Sequence, residues 1–358
     1  AVNPVILVGG GTLGRNPTAV YNLIRLAEFL AIPVSGGTGH FPTDHPLSAS
    51  IPLRDADVIF AIDTPNPWST SSLGVIPNPN AKYIYLDAEP LYVHPYPFAH
   101  HYPADVMIIG DSATTLPDIY WYAAQLVSID PSKLRAYAER FERIKAIHNT
   151  AIQAGIDAAM RVRNDKPIDG AWLGYNVGRI IDDDTIVINE LGRYSPATIR
   201  KPKSYFSTAP SACLGLGLGA ALGAKLAAPD KTVILTVGDG SYMYGIPTVA
   251  HFTSRKYGLP FLTVIHNNAC WNAVKSQLTQ EYSSGYAVKN KLADIGNDLY
   301  FGDESARPRY EKVVEVAGGY GEMVEDPAEV QPALQRALSI VKEKRTQAVL
   351  NVICKKPA

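Results

Sequence analysis

Residues 238–268 read GDGSYMYGIPTVAHFTSRKYGLPFLTVIHNN, and this stretch decides the fold. The apolar run TVILTV that precedes it reads as a buried strand delivering Gly238, Asp239 and Gly240 to the carboxyl edge of a parallel sheet. Residues 241–266 hold one helix and one return strand, so Asn267 and Asn268 arrive at the same edge. A carboxylate, an amide oxygen and a nearby backbone carbonyl are hard oxygen donors, too few for an all-protein cage. They suit Mg²⁺ that completes its octahedron with phosphate oxygens and water. Either half alone would read as an ordinary turn. Both together, one crossover apart, imply a phosphorylated cofactor.

Working outward, the same rhythm runs through the chain. PVILVGGG, IPVSGGTG, ADVIFAID, AKYIYLDAEP and ADVMIIGD each read as a buried strand ending in small or acidic residues, about five before residue 112. A charged helical stretch fills 131–166. The alternation then restarts with TIVINELG, TVILTVGDG, PFLTVIHNN and AVLNVIC. The expected class is α/β, two doubly wound parallel-sheet domains, 1–165 and 166–358. The length of 358 residues supports two cores of roughly 150 to 200 residues each.

Composition excludes several classes. The hydrophobic fraction is 46% and the charged fraction 19%, so the chain packs rather than remaining disordered. With 33 Lys and Arg against 34 Asp and Glu, no net field attracts nucleic acid. The basic knot at Arg200–Lys203 reads as a solvated loop. Cys213, Cys270 and Cys354 are odd in number and widely spaced, which suits a reducing, cytoplasmic setting. The glycine-rich run CLGLGLGAALGAKLAA is too short for a membrane span and is broken by Lys225.

Gly9, Gly11 and Gly14 spell G-x-G-x-x-G after the first strand, the pattern that lets bare backbone approach a pyrophosphate. A dinucleotide site also wants an acid at the end of the second strand, about 20 residues on. That strand ends in serine and glycine here, and the next acid is Asp44. The glycines therefore read as a tight strand-to-helix turn, with an NAD-dependent oxidoreductase kept as an alternative.

The 238–268 stretch resembles the cofactor signature of thiamine-diphosphate enzymes. Its surroundings resemble the acetohydroxyacid synthase and 2-oxo acid decarboxylase family over nearly the whole chain. The resemblance implies that residues 1–165 are that family's central domain and 166–358 its diphosphate-binding domain. Asp239 and Asn268 would bind Mg²⁺ through side chains and Cys270 through its backbone oxygen. Gly238, Gly240 and Ser241 would line the diphosphate, as would Gly192, Arg193 and Tyr194 of ELGRY. Ala212 would accept a hydrogen bond from the aminopyrimidine, and Leu214 would be the apolar wedge under the thiazolium.

In that family an activating glutamate comes from a separate N-terminal pyrimidine-binding domain. Here the chain starts at the central domain and offers no substitute; Glu190, at the end of the diphosphate domain's first strand, cannot take both places. The resemblance thus implies a partner subunit, or a longer chain, that supplies the glutamate, within a homo- or hetero-oligomer. No catalytic residue is assigned to the chain itself.

The helix after the asparagines begins ACWNAVKSQ, placing Trp271, Val274 and Gln277 over the substrate pocket. Decarboxylases of the family carry a glutamate where Val274 stands. Synthases carry the pair seen here as Val274 and Lys275, and an aprotic pocket lets an acyl carbanion, formed by loss of CO₂ from a 2-oxo acid, attack a second carbonyl compound. The reading is therefore an acetolactate-synthase-like carboligase. A simple 2-oxo acid decarboxylase or lyase, and a non-catalytic binding module, remain as alternatives. Gln277 replaces the synthases' aromatic residue, which opens the question of the acceptor. SASIPLRDAD is short for a flavin-holding segment, so no FAD is expected. His100 and His101 read as an exposed loop. The segment GYAVKNKLADIGNDLYFGDESARPRY reads as a mobile closing element.

Overall fold

The computed structural model describes residues 1–10, 12–35, 41–64, 67–68, 75–89, 102, 104–190, 199–207, 214–300 and 303–356. The chain divides into two compact units, Ala1–Ala154 with Ile199–Lys203, and Gly155–Thr198 with Ser204–Ala358.

In the first unit, β1 (Pro4–Val8), β2 (Val34–Ser35), β3 (Val58–Ile62), β4 (Lys82–Asp87) and β5 (Val106–Ile109) form one sheet in the order β2-β1-β3-β4-β5. Every pairing is parallel. Alternation along β1 divides the core in two: Ile6 and Val8 face one cluster with Leu23, Leu86 and Leu116, while Val5 and Leu7 face another with Ile59, Trp68 and Tyr83. Helices α1 (Thr12–Arg15), α2 (Pro17–Leu30), α3 (Ser112–Ile129) and α4 (Lys133–Arg161) complete the unit, α4 running on into the second. Helix α2 starts where Asn16 accepts the amide of Thr18 and Pro17 presets the first turn, and it stops at Ala31 in the left-handed region. The buried Arg140 of α4 then caps its end, donating to the carbonyls of Leu30 and Ala31. One expectation changes. ADVMIIGD is an edge strand with Val106, Met107 and Ile109 exposed, because among the described residues nothing pairs with β5 beyond β4.

In the second unit, β6 (Thr185–Glu190), β7 (Tyr205–Ser207), β8 (Thr232–Gly238), β9 (Leu262–Asn267), β10 (Tyr320–Val324) and β11 (Ala348–Ile353) take the order β10-β11-β9-β8-β6-β7, again all parallel. The intervening helices are α5 (Gly170–Arg179), α6 (Leu216–Ala227), α7 (Asp239–Tyr244), α8 (Pro247–Tyr257), α9 (Asn272–Glu281), α10 (Tyr286–Lys289), α11 (Leu292–Gly296), α12 (Tyr310–Val313) and α13 (Val330–Glu343). Strands β8, β9 and β11 are buried on both faces, which is why they read as continuous apolar runs. Helix α13 buries Val330, Ala333, Leu334, Ala337 and Val341, one stripe at helical spacing. The edge strands β7 and β10 have no such run and escape a hydrophobicity reading.

Two registers position the site. Gly238 of β8 pairs with His266 of β9, so Asp239 and Asn267–Asn268 leave the sheet level with each other. The order reverses between β6 and β8, making the crevice outside their carboxyl ends the place where such a sheet collects ligands. Among the described residues, no helix is long and apolar enough to cross a membrane.

Candidate functional site

Asp239 opens α7 and is almost wholly buried, with 1% of its surface exposed. Its Oδ2 accepts the amide of Ala269 at 2.7 Å and its Oδ1 the amide of Gly240 at 3.0 Å. Ala269 sits in the left-handed region at φ 57°, turning the chain so that its N–H faces the carboxylate. Asn268 folds over the same turn, its Oδ1 accepting the amide of Cys270 at 3.0 Å. The turn is clipped from outside by Trp271 N–H to the Asn297 carbonyl, 2.9 Å, and Leu299 N–H to the Ala269 carbonyl, 3.0 Å. Both ends of the bracket are thus brought together.

Burial pushes the Asp239 carboxyl up to about 7, although the amides of Ala269, Gly240 and Asp239 itself and the Arg307 charge favour its ionised form. A carboxylate whose burial still outweighs its amides and the Arg307 charge is under-compensated, and a nearby cation would offset that. The donors are hard oxygens, and among the described residues no cluster of three or more His, Cys, Asp or Glu could hold a metal without help. That donor set fits Mg²⁺ sharing its shell with phosphate and water.

Glu190, at the end of β6, fills a role the sequence reading left open. Its Oε1 accepts the amide of Gly215 at 2.5 Å and its Oε2 that of Gly217 at 2.7 Å, capping the start of α6. Ser241 also hydrogen-bonds it. Burial raises this carboxyl, and the three donors pull it back. The hydroxyl of Ser241 is therefore engaged by the protein on the flank of the crevice between β6 and β8.

Behind the turn lies a buried polar chain that sequence reasoning missed. Asn267 and Asn351 are fully buried on neighbouring strands, and Asn267 Nδ2 donates to Asn351 Oδ1 at 3.0 Å. Asn351 Nδ2 donates to Glu311 Oε2 at 2.9 Å, and Glu311 Oε1 accepts from Arg309 Nε at 2.5 Å. Tyr300 reaches Asn267 Oδ1 at 3.5 Å from the other side. The available signal was the lone asparagine inside the apolar run AVLNVI.

The Trp271 ring abuts Gly240 of the bracket. A Cβ on Gly240 would stand 2.4 Å from the indole ring, so only glycine fits there. Val274 is half exposed on the first turn of α9, Gln277 is exposed, and Lys275 pairs with Asp294 at 2.9 Å. Leu214 precedes α6 and is 40% exposed. Gly192, Arg193, Tyr194 and Ala212 lie outside the described residues, as do His100, His101 and Cys213. The segment expected to be a mobile closing element carries α10, α11 and the first residue of α12, and it supplies buried Tyr300 and Tyr310 to the packing. Around the site, Leu216, Met243, Tyr244, Ile246, Val249 and Phe252 present apolar surface to solvent.

The fold and this edge define a class: an α/β protein whose second parallel sheet gathers an acid and an amide at its carboxyl ends. Comparison with known proteins adds a family match for part of the chain. Residues 190–352 match the family described as thiamine pyrophosphate enzyme, C-terminal TPP binding domain. The chain is 28% identical over 367 residues to a probable acetolactate synthase of Mycobacterium bovis, a match covering 99% of this chain and 59% of the relative. It is 24% identical over 365 residues to the acetolactate synthase isozyme 3 large subunit of Escherichia coli, covering 96% of this chain and 58% of that one. Its fold is shared with a thiamine diphosphate-dependent 4-hydroxybenzoylformate decarboxylase of Rhodococcus jostii, with a TM-score of 0.69, 20% identity, and coverage of 99% of this chain and 62% of that one. Residues 190–352 thus match the C-terminal binding domain of thiamine pyrophosphate enzymes, and nearly the whole chain is similar to acetolactate synthases. It spans less than two thirds of the length of these curated relatives.

Proposed function

We propose that the chain is the central and diphosphate-binding part, 1–165 and 166–358, of an acetolactate-synthase-like carboligase. It would release CO₂ from a 2-oxo acid and join the remaining acyl unit to a second carbonyl compound. The observation that carries this is the convergence of the Asp239 carboxylate with the 268–270 turn at the carboxyl edge of β8 and β9. Asp239, Asn268 and the Cys270 carbonyl would hold Mg²⁺ and, with Gly238, Gly240 and Ser241, the diphosphate of thiamine diphosphate. Gly192, Arg193, Tyr194, Ala212 and Leu214 complete the proposed set. When bound, the cofactor supplies a thiazolium ring that takes up the electron pair left by the departing CO₂.

The chain's own residues steer the outcome towards ligation. Val274, half exposed on α9, offers no proton, whereas a carboxyl at that position would donate one and end the reaction as aldehyde. Trp271, packed against Gly240, limits the width of the approach. The exposed Leu216, Tyr244, Ile246, Val249 and Phe252 favour a covering partner, which we assign to the pyrimidine-binding domain that brings the activating glutamate.

The test begins with thermal unfolding. Thiamine diphosphate and Mg²⁺ together should raise Tm, and neither alone should do so to the same extent. Adding a pyrimidine-domain polypeptide should start 2-oxo acid consumption, with ligated product outnumbering aldehyde, and Val274→Glu should invert that ratio. Turnover by the chain alone would refute the divided site. An equal response to NAD would refute the cofactor.

A further inference from the structure

Asp63 belongs to the first unit and plays no part in the site above. It follows β3 at the carboxyl edge of the sheet ordered β2-β1-β3-β4-β5. The chain leaves β1 towards β2 on one side and returns as β3 on the other, so the crevice between the ends of β1 and β3 is this unit's switch point. A dinucleotide would set its pyrophosphate there, against the glycine turn after β1 and the helix starts around it.

The structure has put a carboxylate in that place. Gly9 donates to the Ile62 carbonyl at 3.0 Å, and a Cβ on Gly9 would lie 2.2 Å from the Asp63 carbonyl oxygen, so the strand ends touch. Asp63 adopts φ 52°, a left-handed conformation that strains an L-residue. Its side chain shows what that strain secures. Oδ2 accepts the amide of Leu13, second residue of α1, at 2.8 Å and the hydroxyl of Ser112, first residue of α3, at 2.6 Å. The residue is 1% exposed, and Oδ1 is buried without a hydrogen-bond partner. Burial raises this carboxyl, and the nearby charges of Asp87 and Asp111 raise it further.

We propose that Asp63 is a built-in anion standing in the phosphate position of the first unit, so that this unit excludes FAD, NAD and other pyrophosphate dinucleotides. Two donors that could greet a phosphate, the Leu13 amide and the Ser112 hydroxyl, are spent on the protein's own carboxylate. A second anion would meet that carboxylate in a buried crevice, beside two further acids. Gly9 then serves the close approach of β1 and β3. This inference concerns the first unit and stands whether or not the second unit binds thiamine diphosphate.

The experiment uses the full chain as wild type, Asp63→Gly and Asp63→Asn, with ADP and FAD binding followed by equilibrium dialysis. Wild type should show no saturable binding. Asp63→Gly removes the anion and relaxes the left-handed backbone, and it should bind ADP at least about tenfold more tightly than wild type. Asp63→Asn keeps the size and loses the charge, and should gain a smaller part of that. Saturable FAD or NAD binding by wild type below about 100 μM would overturn the proposal. So would a folded Asp63→Gly with no gain. Should that variant fail to fold, Asp63→Asn decides by its thermal response to inorganic phosphate: a Tm rise absent from wild type supports the proposal, and identical responses overturn it.

Discussion

The carboxylate of Asp239 and the amide of Ala269, 30 residues apart, meet in a 2.7 Å hydrogen bond that closes the turn carrying Asn268. One oxygen therefore sets the geometry of the turn while the carboxylate as a whole supplies charge. Asp239→Asn separates the two duties, because an amide oxygen can still accept from Ala269 but carries no charge. Thiamine diphosphate binding in the presence of Mg²⁺ should weaken more than about 100-fold, beyond the usual cost of losing a group that merely supports a ligand. Calorimetric titration measures it. Undiminished affinity would remove Asp239 from the metal site.

The same substitution should change how the metal-free chain responds to pH. Burial raises the folded Asp239 carboxyl from 3.8 to about 7. The folded state therefore binds more protons than the unfolded state in that window, and the associated stability is complete below pH 3.8 and lost as pH rises through about 7. The span of the shift corresponds to a contribution on the order of 4 kcal/mol. Asp63 and Glu190 are raised too but are present in both proteins and cancel in the difference. With chelator present, Asp239→Asn should be more stable than wild type near neutral pH, the advantage fading towards pH 4. Urea midpoints across that range report it, and a gap independent of pH would contradict the shift.

The bracket of Asp239 and Asn268 is the part of the molecule most legible in the sequence. Gly-Asp-Gly and Asn-Asn each end an apolar run, and a parallel sheet brings such ends to one edge, so period and spacing sufficed. The polar chain from Asn267 to Glu311 was illegible because its members come from β9, β11 and α12, and only the register Asn351 to Ile265 sets them side by side. Asp63 was hidden for another reason. The reading sought an acid at the end of the second strand, where a ribose would ask for one, and the structure has it in the crevice itself. Strands β7 and β10 lack the apolar runs on which strand reading depends.

Gly240 offers a steric test. A methyl group there would stand 2.4 Å from the Trp271 ring, while one on Gly238 would meet nothing within 4 Å. Gly240→Ala should cost about 1–3 kcal/mol, the range for forcing atoms into a packed place. Gly238→Ala should leave stability nearly unchanged. Near-ultraviolet circular dichroism should show the indole displaced in the first variant and retained in the second. Equal effects would mean that the Trp271 contact does not hold in solution.

The polar chain carries the last prediction. Glu311 accepts from both Arg309 and Asn351, and Asn351 in turn accepts from Asn267, the residue beside the proposed ligand Asn268. Glu311→Gln sets an amide N–H₂ against one of those two donors, and a buried donor left unpaired costs about 1–3 kcal/mol. If that were all, Tm would fall equally with and without cofactor. A chain of bonds that positions the Asn268 turn gives a different result, because the loss then also reaches the ligand. The Tm rise produced by thiamine diphosphate with Mg²⁺ should shrink in Glu311→Gln by more than the metal-free Tm difference explains, and Asn351→Leu, which cuts the chain one step nearer, should shrink it further. Parallel curves in both variants would reduce Glu311 to a packing residue.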